Sequence, residues 1–435
     1  MTSKTNTSVS NSPDVLKFIH TADLHLGSKF CGISGMNQDL AKKLSKATFT
    51  AFDNIVSHCI DNKVDFLLIS GDIYDSADRR IYEQLEFRRR LAKLSEHDIS
   101  VYLAFGNHDP LSGWSAKIDW PSNVNIMSGN NPECHFYESG GKKKAAIVGI
   151  SYKQSKTIVN LTKYYPEKDN SWPFTIGMLH CNLGTDTGHE PYSPCSVKDL
   201  TDKNYDYWAL GHIHKPQIIQ KSGPAIVYPG NPQGRDMGES GARGCYIVTV
   251  SNGGITQTEF IETAEIKWEK ISVNVSRIPD ENDLIKEIEN VIQKIRRNSG
   301  DKPTFLRLTL TGRSPVHSLL SGDGVTDDII RHFRDEEEEN SNFVYLEKII
   351  DNTEPEIDLG KVAEREDIVG DIVQISDSLL KDEDKLQSVR LKLDDLFKSN
   401  KGKKFIENLS DDEMEALVKE ARTYLLDRFV GGDSK

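Results

Sequence analysis

Cysteine is sparse and scattered in this 435-residue chain: six residues, at 31, 59, 134, 181, 195 and 245, with no Cys-x-x-Cys pair. That spacing argues against a disulfide framework and a thiolate zinc site, and fits a reducing cytoplasm. Long apolar runs are missing too. None approaches the roughly 18 residues needed to cross a bilayer, so no membrane span is expected. The first fourteen residues are polar, without the apolar stretch of a secretion signal, and residues 1–15 are expected to form a flexible tail. Positive charge is in deficit: 54 basic side chains against 67 acidic ones leave a net charge of −13. Bulk attraction to nucleic acid is thereby excluded. A chain of this charge that acts on DNA needs local basic patches, bound cations or a partner. What is present is a 37% hydrophobic fraction, enough to exclude wholesale disorder.

The first 250 residues alternate short apolar runs with helix-like periodicity and polar turns. Runs at 16–23, 64–72, 99–109, 145–151, 174–179, 206–211, 225–228 and 245–250 read as buried strands. Helical spacing occupies 39–62 and 80–94. Buried strands joined by helices predict an α/β sandwich with its chemistry on loops at the strand ends. Composition shifts near 265. Strand, helix, strand, helix, strand follow over 269–352, a small α+β unit, and the acidic run 335–339 reads as a solvated helix end or loop. From 354 the pattern is helical. Met414, Leu417, Val418, Ala421 and Leu425 fall on one face, suited to packing within the chain or on another protein.

Five segments place Asp, His and Asn after predicted strands: Asp23-Leu24-His25, Gly71-Asp72, Gly106-Asn107-His108-Asp109, His180 and Gly211-His212-Ile213-His214. Each is weak alone, since a strand-end His usually serves a structural hydrogen bond. Five in sequence form a metal-binding set, because imidazole and carboxylate suit Mn²⁺, Fe²⁺ and Zn²⁺. Two such ions roughly 3.5–4 Å apart clamp a phosphate for in-line displacement. The Gly before Asp72 permits a tight turn that lets one carboxylate reach both ions. Alternation along an extended segment would point Asp23 and His25 the same way.

These segments resemble the calcineurin-like metallophosphoesterase superfamily, whose pattern is DxH, GDxxD, GNHD, H and GHxH. All five motifs are matched over residues 16–250, with Asp75 completing GDxxD. The flanks at 18–30, 190–200, 205–217 and 228–235 resemble its DNA-repair exonuclease branch, the YhaO-type proteins related to SbcD. The resemblance implies a four-layer α/β/β/α sandwich over 16–265; the composition and pattern beyond it lead us to expect an α+β accessory (capping) domain over 266–353 and a helical region, open to packing within the chain or to a partner, over 354–435. It implies that Asp23, His25, Asp72 and His214 hold one ion, and that Asp72, Asn107, His180 and His212 hold the other. Mn²⁺ is the first choice, with Mg²⁺, Fe²⁺ or Zn²⁺ as alternatives. His108 is implied as a non-ligand that protonates the leaving oxygen or stabilises its charge. Asp109 is expected to orient His108 or a ligand, or to serve only as a turn residue. Asp75 stands where archaeal and eukaryotic members carry His; it is expected to bond a ligand His or to cap the following helix.

The implied activity is hydrolysis of DNA phosphodiesters by water activated between two ions, in a nuclease subunit working with an SMC-like coiled-coil ATPase in repair or defence. A homodimer is a further implication, and the cytoplasm the expected location. A metallophosphoesterase for small phosphate esters and a non-catalytic scaffold are the alternatives. For substrate contact the candidates are Arg235, Asn231 and Arg79. The Arg88–Arg90 and Lys142–Lys144 runs read as solvated surface.

Overall fold

The structure is a computed structural model that describes residues 15–28, 30, 38–76, 80–184, 192–300, 302–337, 340, 342–398 and 410–430. The expected tail over 1–14 lies outside the described residues. The chain divides into two compact units, Met1–Glu269 with Lys302–Phe305, and Lys270–Asp301 with Leu306–Lys435.

In the first unit the elements run β1 (Val15–Thr21), α1 (Gln38–Asp61), β2 (Phe66–Ser70), α2 (Ile81–Ser95), β3 (Ser100–Ala104) and β4 (Val124–Ile126). Next come β5 (Glu133–Ser139), β6 (Lys142–Gly149), β7 (Phe174–His180), α3 (Val197–Thr201) and β8 (Tyr207–Gly211). Four strands complete it: β9 (Gln217–Gln220), β10 (Ala225–Tyr228), β11 (Gly244–Ser251) and β12 (Gly254–Glu262). One six-stranded sheet has the order β12-β11-β1-β2-β3-β4, the other β5-β6-β7-β8-β10-β9. Strands β1 to β4 are parallel neighbours, as are β6, β7 and β8, so their C-terminal ends gather at one edge of each sheet.

Both helices of the first sheet end by the same device. Lys63 (φ 50°) and Asp98 (φ 57°) take left-handed backbone, and the amides of Val64 and Ile99 reach back to the carbonyls of Cys59 and Leu94. This closure turns the chain sharply into the next strand and satisfies carbonyls that the helix leaves open.

Alternation sorts the strand side chains between two faces. Phe18, Phe66, Leu68 and Tyr102 meet Ile147, Ile176, Met178, Tyr207 and Val227 between the sheets. On the outer face of the first sheet, Ile19, Leu67 and Leu103 pack on Phe52, Ile55, Phe87 and Leu91 of α1 and α2. On the outer face of the second, Leu179, Trp208 and Leu210 pack on Leu161, Tyr165 and Leu200. Four layers, α/β/β/α, result. Arg90, expected on a solvated face, is instead buried against Phe49 and ion-paired to Asp53 and Glu86.

The second unit carries a three-stranded sheet, β13 (Lys267–Asn274), β14 (Thr304–Arg313) and β15 (Val344–Glu354), in that order. Helix α4 (Glu281–Asn298) lays Leu284, Ile288, Ile292 and Ile295 among Val273, Leu308, Leu310 and Val344, while α5 (His317–Leu320) and α6 (Val325–Glu337) add Leu320, Ile330 and Phe333. Within the acidic run, Glu337 is buried, paired with Arg296 and accepting from the Val344 amide at 2.9 Å, so that residue is not solvated. The chain continues through α7 (Leu359–Ala363), α8 (Ile368–Lys381), α9 (Glu383–Lys398) and α10 (Asp411–Val430). The face of α10 that packs is Met414, Val418 and Leu426; Leu417 and Leu425 are exposed, a correction to the expected stripe. Strict four-residue spacing selects this line, and Arg422 lies on it, paired with Asp377. Among the described residues no helix is long and apolar enough to cross a membrane.

Phe66 has no exposed surface and stacks on Phe18 at 5.1 Å while meeting Tyr102 edge-on at 5.6 Å. Phe66→Ala is expected to cost about 3–5 kcal/mol in chemical unfolding, from lost burial plus the cavity left behind. A loss under about 1 kcal/mol would contradict a dry interface between the two sheets.

Candidate metal centre

The polar loops leave the C-terminal ends of β1, β2, β3, β7 and β8. Four of their key residues take left-handed backbone: Asp23 (φ 52°), His25 (43°), Asp72 (50°) and His212 (95°). Each such conformation costs on the order of 1–3 kcal/mol for a non-glycine residue and persists only where the surroundings enforce it. Asp23 and His25 therefore converge through two backbone kinks beyond the end of β1, and not through strand alternation as expected from their spacing. The kinked segment is held beside the next loop by Asp23 N–H to Gly71 O (3.0 Å), His25 N–H to Asp72 O (3.1 Å) and Leu26 N–H to Ile73 O (2.8 Å).

Two glycines make room. A Cβ on Gly71 (φ 97°) would sit 2.3 Å from His180 Nδ1, and one on Gly211 would sit 2.0 Å from the Ser70 carbonyl. That carbonyl accepts from His180 Nδ1 at 2.9 Å, so the close approach of the two sheets sets the orientation of the ring. Asp109 is buried and accepts the amides of Ile73 (2.7 Å), Tyr74 (3.1 Å) and Gly106 (2.8 Å). It ties the Asp72 loop to the Asn107 loop and thus orients ligand-bearing backbone, which goes beyond a turn role.

The side chains meet in one place. His25 Nε2 lies 3.2 Å from His214 Nε2, and His180 Nε2 lies 3.3 Å from Asp72 Oδ2 and 2.9 Å from Asn107 Oδ1. His25 Nε2 is 4.0 Å from the same Asp72 Oδ2, so this oxygen stands between the two histidines. Asp23 accepts from the His212 amide at 3.0 and 3.1 Å. The His212 ring lies edge-on to His180, 5.3 Å between centroids, and Tyr192 lies edge-on to His212 at 5.5 Å. Asp23–His25–His214 and Asp23–Asp72–His180 are each grouped closely enough to grip one ion.

The donor set fits divalent cations on physical grounds. His180 gives its Nδ1 proton to the Ser70 carbonyl, and His214 gives its own to Glu239 Oε1 at 2.6 Å. Each Nε2 is then left as an acceptor. His214 Nε2 faces another imidazole nitrogen, and His180 Nε2 faces the oxygens of Asp72 and Asn107. Buried acceptors aimed at one another are unfavourable without a proton or a cation between them. His25 Nδ1 is buried without an aligned hydrogen bond. Asp23 and Asp72 add two carboxylates with essentially no solvent contact.

The ionisation of these groups shows the same imbalance. Burial raises Asp23 to about 6, against the pull of His180 and His214. Burial also opposes ionisation of Asp72, but His180, His25 and His108 outweigh it and hold this carboxyl well below the usual range. Burial lowers His25 to about 3, helped by the Arg235 charge. For His180 burial is overcome by Asp72 and Asp23, which raise it to about 9. In the metal-free protein, a proton on His180 occupies the position suited to a cation.

The other expected site residues are placed as follows. His108 is exposed; its ring nitrogen Nδ1 lies 3.0 Å from the Asp75 carbonyl and its amide donates to Asp72 Oδ1 at 3.0 Å. Asp75 Oδ1 lies 3.1 Å from His25 Nδ1; the cap of α2 is Arg80, so capping is excluded as the role of Asp75. Asn231 is fully buried, donating to Gln233 O and Glu239 and accepting from Arg243, which corrects its assignment as a substrate contact. Arg235 is corrected likewise: its guanidinium is engaged by Asp75 (2.9 Å) and Glu239 (3.1 Å). Arg79 lies outside the described residues. Glu239 belongs to none of the five motifs, and its only signal in the sequence is an acid four residues after Arg235. Tyr152, whose hydroxyl donates to the His180 carbonyl at 2.6 Å, left no signal at all.

The sequence pattern of the calcineurin-like phosphoesterases matches residues 16–216, and that of the middle domain of metallophosphoesterase YhaO matches 268–354. The metallophosphoesterase YhaO of Bacillus subtilis (strain 168) is 38% identical over 344 residues, 79% of this chain and 83% of that protein. The DNA double-strand break repair protein Mre11 of Methanopyrus kandleri is 22% identical over 319 residues, 66% of each chain. Its namesake from Thermoplasma acidophilum is 22% identical over 321 residues, 69% of this chain and 78% of that protein.

The charged state of His180 gives a pH prediction. A cation can take Nε2 only after the proton leaves, so below pH 9 binding must release it. Apparent affinity for one divalent ion should therefore fall up to about tenfold per pH unit as pH drops from 9 to 7. Titration calorimetry in buffers of different ionisation enthalpy reads the released proton; binding with no proton release at pH 7 would contradict this role for His180.

Proposed function

This chain belongs to the calcineurin-like metallophosphoesterases, in the group that includes YhaO, and from that premise we propose that it is a two-metal DNA nuclease. The family hydrolyses phosphate esters at a dimetal centre. The observation that carries the reading here is the convergence of side chains from five loops, with Asp72 Oδ2 between His25 and His180, Asn107 against His180, and His214 against His25. In this reading Asp23, His25, Asp72 and His214 hold one ion. Asp72, Asn107, His180 and His212 hold the second. Divalent ions bound there, Mn²⁺ foremost, would supply positive charge to a phosphate ester and acidify water toward neutral pH.

The chain's own groups supply the rest. Asp72 is fixed by the His108 amide on Oδ1, which leaves Oδ2 turned toward the histidines. His108 directs Nδ1 at the Asp75 carbonyl, so Nε2 is the atom that carries the mobile proton. An exposed imidazole next to the metal-binding groups is placed to protonate the leaving oxygen. Asp109, by joining the Asp72 and Asn107 loops, sets the spacing between the bridging carboxylate and His108.

DNA as substrate is supported by the likeness to Mre11 proteins of two archaea, whose name gives double-strand break repair as their role. The partner in this reading is an SMC-like coiled-coil ATPase and the location the cytoplasm, as implied by the resemblance of the segments at 18–30, 190–200, 205–217 and 228–235 to the exonuclease branch. Ile375, Tyr424 and Phe429 of α8 and α10 are exposed and suit a protein contact.

Purified protein with Mn²⁺ is expected to shorten end-labelled DNA, and His108→Gln to lower turnover by about 10²–10⁴-fold while both ions remain bound. Gel analysis with elemental metal content checks both. Cleavage of a small chromogenic diester without any cleavage of DNA would overturn the nuclease reading, and loss of metal in His108→Gln would overturn its assignment as a non-ligand.

A further inference from the structure

We propose that Arg235 is a positioning residue that acts on one metal site only, holding His25 and His214 in register through the carboxylates of Asp75 and Glu239; this rests on the two-metal reading above. The guanidinium spans two acids that lie on different loops. Its NH1 group donates to Asp75 Oδ1 at 2.9 Å and its NH2 group to Glu239 Oε1 at 3.1 Å. Each of these same oxygens also faces the Nδ1 of one histidine. Glu239 Oε1 is 2.6 Å from His214 Nδ1, and Asp75 Oδ1 is 3.1 Å from His25 Nδ1. His214 turns its Nδ1 proton to Glu239, and His25 Nδ1 stands against the Asp75 carboxylate without an aligned hydrogen bond; the two Nε2 atoms lie 3.2 Å apart. Carboxylate-to-histidine contacts of this kind fix the tautomer and ring orientation of a metal ligand.

The two carboxylates do not need Arg235 equally. Glu239 is held independently, because its Oε2 accepts the Arg235 amide and the Asn231 side chain, each at 2.8 Å. Asp75 is 40% exposed, and Arg235 is the cation that keeps it turned inward to His25. A planar fork suits this double contact, whereas a lysine ammonium is a compact point charge. His180 receives its tautomer from the Ser70 carbonyl, outside this arrangement. The dependence on Arg235 is therefore confined to the ion held by His25 and His214. This also explains why a basic residue beside the site is not free to meet a phosphate.

The test is calorimetric titration of Mn²⁺ into metal-free wild type, Arg235→Gln, Arg235→Lys and Asp75→Ala, with visible spectra of the Co²⁺-loaded proteins. Wild type should bind two ions. In each variant one affinity should fall about 10–100-fold, with the other within twofold of wild type, and one of two Co²⁺ absorption components should shift. Lysine should fail to restore the weakened site. Equal weakening of both ions, or none, would overturn the proposal, as would full rescue by lysine. Asp75→Ala keeps the test decisive if the arginine variants do not fold, since its side chain is partly exposed. Failure of wild type to bind two ions would instead overturn the two-metal reading.

Discussion

Two carboxylates with almost no access to water, Asp23 and Asp72, sit among imidazoles whose lone pairs face one another. Burying unpaired charge is among the most expensive things a fold can do. Much of the first unit can be understood as what makes this arrangement tolerable and gives it a use. Protons offset part of the cost in the metal-free chain, most plainly on His180. Divalent cations would offset more, because each can be shared by several donors at once. The affinity for ions and the strain of the fold are then two views of the same free energy.

The architecture delivers these groups by a simple rule. Parallel strands end together, and side chains just past those ends can converge. The two sheets are joined at that edge by polar contacts in addition to apolar packing: Ser70 donates to Ala209 O, and His20 links Tyr207 with the Leu210 carbonyl. Burial lowers His20 to about 3, so it serves as a neutral link between the sheets. Left-handed backbone at four ligand positions turns the convergent ends into a closed set of donors. Asp109 supplies some of the restraint that holds such a backbone in place.

Sequence made the inner strands legible because β2, β3, β7 and β8 are apolar on both faces. It did not reveal β5, β9 or β12, whose side chains are largely half-buried or exposed and mixed in character. The metal-binding candidates could be named from five short motifs because their residue types are chemically restrictive. Their means of convergence could not, since alternation along a strand and a pair of left-handed kinks give the same spacing of Asp23 and His25. Arg235 looked like a substrate contact because an isolated arginine after a strand end has no visible partner in sequence. Only the fold brings Asp75, 160 positions away, against it. The same holds for Asn231, because burial and hydrogen-bond saturation are tertiary properties. Leu417 and Leu425 fit a helical stripe as well as Leu426 does, and the neighbouring helices decide between them.

The central claim is that these donors enclose a pair of cations sharing Asp72. Diffraction from crystals grown with Mn²⁺, recorded at the manganese absorption edge, tests it most directly. Two anomalous peaks roughly 3.5–4 Å apart, one beside His25 and His214 and the other beside His180 and Asn107, are the predicted result. A single peak away from Asp72, or none at all in protein that is fully folded, would contradict it.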